Sequence, residues 1–201
     1  MWAKIKALFC GNKNNGLIYN DKLIVLVGRS GSGKTTVMKA LASMYGYNLV
    51  KSYTTRKQRN AEDVDHTFFD IDKFDLDKVL AGNALALTYF DENYYWITME
   101  QLIGKGISLV ALDPAGAAAL ERSSMKSRVH VIALKTNAAA CIDRMDARGD
   151  SAKKIMDRLE HDDAAFKNFM CDTVIATDNK TVTDVMFEVN AVIAAINSKS
   201  E

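Results

Sequence analysis

The readable pattern begins at Leu23. LIVLV (23–27) is an unbroken apolar run rich in β-branched residues. That pattern suits a strand buried on both faces of a parallel sheet. Glycines follow, and then Val37, Leu41 and Met44 recur at helical spacing. YNLVK (47–51) predicts a second strand, whereas the polar stretch 52–70 carries no period that assigns it. FDLDKVLAG (74–82) predicts a short helix closed by Gly82, a residue type that ends helices readily.

ALALTYF (84–90) and NYYWI (93–97) flank Asp91-Glu92 and predict a hairpin. Thr98 is placed to cap a helix over MEQLIGKG. ISLVALD (107–113) predicts a buried strand ending on an acid, and Pro114, the only proline, opens a helix through AGAAALER. RVHVIAL (128–134) predicts a strand, 138–147 and 151–170 predict helices, TVIAT (173–177) a last strand and 182–196 a last helix. Strands alternating with helices specify an α/β fold with a mainly parallel central sheet. Ligands in such sheets sit beyond the carboxyl ends of the strands. The chemistry-bearing residues fall there: Gly28 onward, Ser52, and Asp113.

Composition narrows the function classes. A chain of 201 residues with 48% apolar content suits one domain with small inserted lobes. The formal charge of +1 gives no reason to expect a nucleic-acid or membrane partner, so any cationic site is local. Cys10, Cys141 and Cys171 are odd in number, far apart and without a CxxC pair. They read as reduced thiols of a cytoplasmic protein. His66, His130 and His161 are too scattered to suggest a zinc site. Residues 1–21 read as a tail: Lys4 and Lys6 precede an apolar run, Ala7 to Cys10, too short for a signal-peptide core. No window reaches the length of a transmembrane helix.

Two stretches carry candidate chemistry. GRSGSGKT (28–35) fits GxxxxGK[ST] between a predicted strand and a predicted helix. Gly28, Gly31 and Gly33 allow tight turns and close approach to oxygens. Successive N–H groups through Arg29, Ser30, Ser32 and Thr36 then face phosphates, Lys34 reaches the β- and γ-phosphates, and Thr35 offers a hydroxyl to Mg²⁺. The plain alternative is a Gly/Ser turn that happens to precede a lysine. KSYTTRKQR (51–59) contains no acid. Arg56 and Arg59 could grip a phosphate monoester bidentately, with Ser52 adding a hydroxyl. A solvated basic loop is the alternative. Arg144 and Arg148, at i and i+4, can point together, and Arg158 projects from the next helix. Surface pairing with Asp143, Asp146 or Asp162 competes with that reading.

The P-loop, SYTTRKQR, Glu62, DHTFF, NYYW (93–96), LVALDPAG (109–116) and RMDARG (144–149) with Arg158 follow one another in an order that resembles the guanylate kinase family. The resemblance covers roughly residues 22–196. It implies a P-loop NTPase fold with a five-stranded, mainly parallel sheet. The core would be 22–51, 98–143 and 171–197, with a monophosphate-binding lobe at 52–97 and a lid at about 144–160. It implies transfer of a phosphoryl group from ATP, with Mg²⁺, to a nucleoside monophosphate, GMP or dGMP first among them. Arg56, Arg59, His66 (where the family has tyrosine) and Tyr95 would bind the acceptor phosphate, Ser52 the base, and Asp113 the acceptor or Mg²⁺. Lys34, Arg144, Arg148 and Arg158 would be catalytic.

The family pattern fails in the base pocket. Counting back from Tyr95 places Ala86 where the family carries a guanine-reading glutamate, and Ile97 where it carries Ser or Thr. The asparagine beside the donor adenine becomes Thr177. Either Asp91, Glu92 or Glu62 takes over the base, or the acceptor is not GMP; Thr88, on the strand face of Ala86, could also line the pocket. Kinases for another phosphorylated acceptor and non-catalytic scaffold domains of this type remain alternatives. The scaffold domains typically have degraded P-loops, which this chain does not.

Overall fold

The computed structural model describes residues 21–58, 61, 63–82, 84–90 and 92–198. Its centre is β1 (Lys22–Val27), which pairs in parallel with β7 (Ile107–Ala111) and with β8 (Val129–Lys135). Outside these lie β2 (Asn48–Leu49) and β9 (Thr173–Ala176), also parallel, giving the order β2-β7-β1-β8-β9. The fold is thus the P-loop α/β architecture that the sequence predicts.

The apolar run of β1 divides by side-chain parity. Ile24 and Leu26 face Val37, Met38 and Leu41 of α1 (Lys34–Tyr45) and Val185, Met186, Val189 and Ile193 of α6 (Val182–Ser198). Leu23, Val25 and Val27 face the opposite layer, which includes Ala117 and Leu120 of α3 (Pro114–Glu121). A strand covered by helices on both sides has no polar position to spare. This is why the period-2 signal is absent from LIVLV.

A second sheet, ordered β4-β3-β6-β5, forms the lobe beside the core. It contains β3 (Ser52–Thr54), β4 (His66–Phe68) and the hairpin of β5 (Ala84–Phe90) with β6 (Asn93–Thr98). Aromatic pairs hold it: Tyr53 stacks on Trp96 at 5.4 Å, and Phe74 on Tyr94 at 4.4 Å. Phe74 precedes α2 (Leu76–Ala81), which Asp75 caps by accepting from the Lys78 N–H and which ends at Gly82 as expected. Two further helices, α4 (Ala138–Ala147) and α5 (Ala152–Phe166), pack on each other through Cys141, Met145 and Ile155.

Four expectations need correction. The strand at 47–51 is only Asn48–Leu49, because the chain leaves the central sheet and joins the lobe sheet at Ser52. Met44 is 57% exposed although it shares a helical face with Val37 and Leu41. The helix after Thr98 is a single 3₁₀ turn, Met99–Gln101, and Gly104 and Gly106 then adopt positive φ. The helix at 151–170 stops at Phe166. Among the described residues no helix is long and apolar enough to cross a membrane.

Candidate active site

The loop after β1 is shaped by glycines that have no substitute. A Cβ on Gly28 would lie 2.6 Å from Ser32 Oγ and 2.8 Å from the Leu134 carbonyl. Gly31 has φ +81°, and its Cβ would meet the Cys141 carbonyl at 2.6 Å. The loop then enters α1 through Gly33, also left-handed, which offers no side chain to cap the helix. The first N–H groups of α1 are therefore not capped by a side chain and face the cavity, an arrangement suited to an anion.

Lys34 is the loop's cation. Its Nζ donates to the Gly28 carbonyl at 2.6 Å and the Arg29 carbonyl at 3.0 Å. Burial lowers its pKa to about 8, against the pull of Asp162 in the other direction; Arg148 and Arg158 reinforce the fall.

Three arginines surround the loop as the sequence proposes. Arg144 of α4 donates to the Gly31 carbonyl at 3.0 Å. Arg148 sits at the C-cap of α4, where Gly149 turns the chain with φ +81°, and its guanidinium binds Asp150 at 2.6 Å. Burial alone would raise the Asp150 carboxyl, but the Arg148 hydrogen bond and the charges of Arg148, Arg158 and Lys154 hold it below its ordinary value. Arg158 of α5 reaches Ser30 Oγ at 3.2 Å.

The sequence offers Asp162 as a surface partner for the arginines and does not mark it as a site residue. Asp162 is buried and accepts the Ser30 N–H at 2.7 Å, and Asp163 pairs with Arg29. The i, i+4 spacing from Arg158 puts Asp162 on the same helical face, and that was the available signal.

On the opposite wall Ser52 Oγ and His66 Nδ1 are 2.8 Å apart, and the His66 ring meets Tyr95 edge-on at 5.8 Å. Arg56 forms a bidentate pair with Asp63, at 2.8 and 3.2 Å, and lies over the Phe68 ring. The threonines of the TTR stretch are structural. Thr54 Oγ1 accepts the Arg56 N–H and Thr55 Oγ1 accepts the Tyr94 N–H, which fixes the loop against the hairpin. Arg59, Glu62 and Asp91 lie outside the described residues. Asp113 Oδ1 caps α3 by accepting the Gly116 N–H at 2.7 Å, and the residue also borders the cavity.

One cavity of about 870 Å³ joins these walls. It is lined by Gly28, Ser30, Gly31, Gly33 to Thr36, Ser52, Arg56, His66, Tyr95, Asp113, Arg144, Arg148 and Arg158. A smaller hollow of about 160 Å³ lies on the far side of the P-loop, between Ser32, Arg144, Thr177 and Val182. Thr177 is thus beside the loop, with its hydroxyl 2.6 Å from that of Thr136.

The positions that the resemblance expects to read the base are not where strand parity places them. β5 carries a register shift between Leu85 and Thr88, and Ala86 within it has φ +52°. The bulge turns Ala86 into the apolar core at 5% exposure, together with Ile97. Thr88, two residues on, lines the cavity instead, so the expectation that it shares a face with Ala86 does not hold.

The guanylate kinase family profile matches residues 20–196. A guanylate kinase of the aster yellows witches'-broom phytoplasma is 28% identical over 189 residues, 89% of this chain and 88% of that one. One from the onion yellows phytoplasma is 33% identical over 135 residues, 63% of each chain. The crystal structure of guanylate kinase from Anaplasma phagocytophilum superposes with a TM-score of 0.60 at 20% identity, covering 90% of this chain and 88% of that one, a likeness of fold. With a family match that spans both sheets and helices α4 and α5, the chain belongs to the guanylate kinase family of nucleoside monophosphate kinases.

Proposed function

We propose that the protein transfers the γ-phosphoryl group of ATP directly to a nucleoside monophosphate, with GMP or dGMP the first acceptors to test. The observation that carries this reading is the continuous cavity, with the P-loop on one wall and Ser52, Arg56, His66 and Tyr95 on the other. A triphosphate on the loop and a monophosphate at Arg56 would meet inside it.

The chemistry asks for position and charge rather than a covalent intermediate. An oxygen of the acceptor phosphate attacks the γ-phosphorus, and the bond to the β–γ bridging oxygen breaks, leaving ADP. Lys34, Arg144, Arg148 and Arg158 place positive charge around the group in transit. Arg56, assisted by Arg59, His66 and Tyr95, holds the acceptor phosphate; Ser52 faces the base. Arg56 leaves its pairing with Asp63 when a phosphate takes its fork. Thr35 and Asp113 present hard oxygen donors at the cavity, a set that suits Mg²⁺. When bound, Mg²⁺ would neutralise phosphate charge.

Incubation with Mg-ATP and each common ribo- and deoxyribonucleoside monophosphate, followed by quantifying diphosphate, tests the reading; turnover of none of them would sink it. The bulge brings Thr88, not a carboxylate, from β5 to the cavity wall, which supports, as a second reading, an acceptor with a base other than guanine. The same panel separates the two. Failure to bind ATP in calorimetry would point instead to a non-catalytic interaction module.

A further inference from the structure

Helix α5 touches both halves of the cleft with one stretch of residues. Arg158 and Asp162 meet Ser30, Asp163 pairs with Arg29, and the His161 ring lies 4.1 Å from that of Phe90 on β5. Of these contacts the one at Asp162 is the most demanding. Its side chain is a buried carboxylate that accepts a main-chain N–H of the phosphate-binding loop at 2.7 Å. Loop N–H groups of this kind hold phosphate oxygens when nucleotide is bound. Lys34 is satisfied in the same inward way, by its own loop's carbonyls. Without nucleotide, then, the loop is already supplied with an anion and its lysine with acceptors.

We propose that Asp162 acts as a stand-in for donor phosphate: it occupies the Ser30 N–H, holds α5 over the loop, and must be displaced when ATP binds. The proposal rests on the reading that the P-loop takes the donor triphosphate. A phosphate oxygen arriving at Ser30 finds the N–H used and a like charge in hydrogen-bond range. Asp162 acts on the Lys34 charge, as Arg148 and Arg158 also do, and its Oδ1 lies 3.6 Å from His161 Nδ1. Among these groups are the cations that donor phosphates would recruit, so carboxylate and nucleotide compete for partners as well as space. Because Asp162 shares its helix with Arg158 and His161, its release also frees α5 from Ser30 and from Phe90. Asp162 is therefore a positioning residue that sets donor affinity and ties donor binding to the placement of the lid helix.

The test is AMP-PNP affinity by calorimetry, with Mg²⁺ at pH 7, for the full chain and for Asp162→Asn and Asp162→Ala. The expected result is tighter binding in both, by about tenfold for the alanine variant, with a lower KM for ATP and an unchanged dissociation constant for GMP. A merely structural role would weaken binding of both ligands together. Unchanged or weaker AMP-PNP binding overturns the proposal while leaving the donor site intact. No binding even to the parent chain overturns the donor-site reading along with it. Should the alanine variant fail to fold, the isosteric asparagine variant decides. Hydrogen exchange in the parent chain gives an answer without any substitution: AMP-PNP alone should speed exchange in residues 152–166, and slower or unchanged exchange there overturns the proposal.

Discussion

Lys34 offers the sharpest test of the donor site, because its charge is expensive before nucleotide arrives. Its pKa of about 8 lies below the ordinary 10.5 because burial strips water from the ammonium group. At 1.36 kcal/mol per pH unit, that difference amounts to about 3 kcal/mol. The sign follows from proton counts. Between pH 8 and 10.5 the folded protein binds fewer protons than the unfolded chain, so stability rises with pH across that window. Below pH 8 the full cost of the buried charge is carried. A triphosphate on the loop reverses the balance by placing negative charge beside Nζ, and the lysine regains its proton. Nucleotide binding should therefore take up about one-tenth of a proton at pH 7, about half at pH 8 and about nine-tenths at pH 9. Calorimetric titration of Mg-ATP, without acceptor, in Hepes and in Tris measures the uptake from the difference in heats. Lys34→Arg, which keeps its charge at every pH used, removes the lysine's share and leaves only what the nucleotide itself contributes. Equal uptake in the two proteins, or uptake that does not rise with pH, would refute the reasoning.

Arg56→Ala should raise the acceptor KM and remove a bidentate partner from the Asp63 carboxylate, whose side chain is 10% exposed; urea unfolding should show a loss of about 1.5–3 kcal/mol. Gly31→Ala combines a left-handed φ with a 2.6 Å approach to a main-chain oxygen, so it should cost about 2 kcal/mol or more in thermal unfolding and abolish measurable ATP binding. Ala86→Glu should unfold the lobe, losing about 4 kcal/mol or more by driving a charge into the core. Thr88→Glu should keep stability within about 1 kcal/mol and shift the acceptor panel towards guanine; circular dichroism and the turnover panel score both variants.

How far the sequence could be read depended on how local the determining physics was. The P-loop was legible because glycine at 28, 31 and 33, lysine at 34 and the flanking run LIVLV each answer to a local demand of backbone geometry or burial. The central strands were legible for the same reason: apolar residues flanked by turn formers need no partner to declare themselves. The lobe was harder. β3 and β4 are three residues each, too short for any period, and they exist because Tyr53, Phe74, Tyr94 and Trp96 pack across the sheet. Asp162 was harder still. In RLEHDD only the i, i+4 spacing from Arg158 marks Asp162, and that spacing does not separate an acid that accepts a loop N–H from one that faces water until α5 is laid against Ser30.

The base pocket shows how one bulge can mislead a residue count that is otherwise correct. Counting back from Tyr95 assumes that β5 alternates without interruption, so that Ala86 and Thr88 share a face. The pairs Leu85–Ile97 and Thr88–Tyr95 show instead that β5 spends two residues, Ala86 and Leu87, where β6 spends one, Trp96. An extra residue reverses parity on one side of it. Ala86 and Ile97 therefore speak about core packing, and their apolar character is no argument against a polar acceptor. The residues that do line the cavity there are Thr88 and Phe90 on β5, with Ser52 and His66 opposite. A threonine hydroxyl and a serine–histidine pair can both give and accept hydrogen bonds, whereas a glutamate only accepts. Under the proposed function, selection between bases on this wall would rest on which partner each group turns towards, and the His66–Ser52 pair, whose donor depends on the imidazole tautomer, is the element able to change sides.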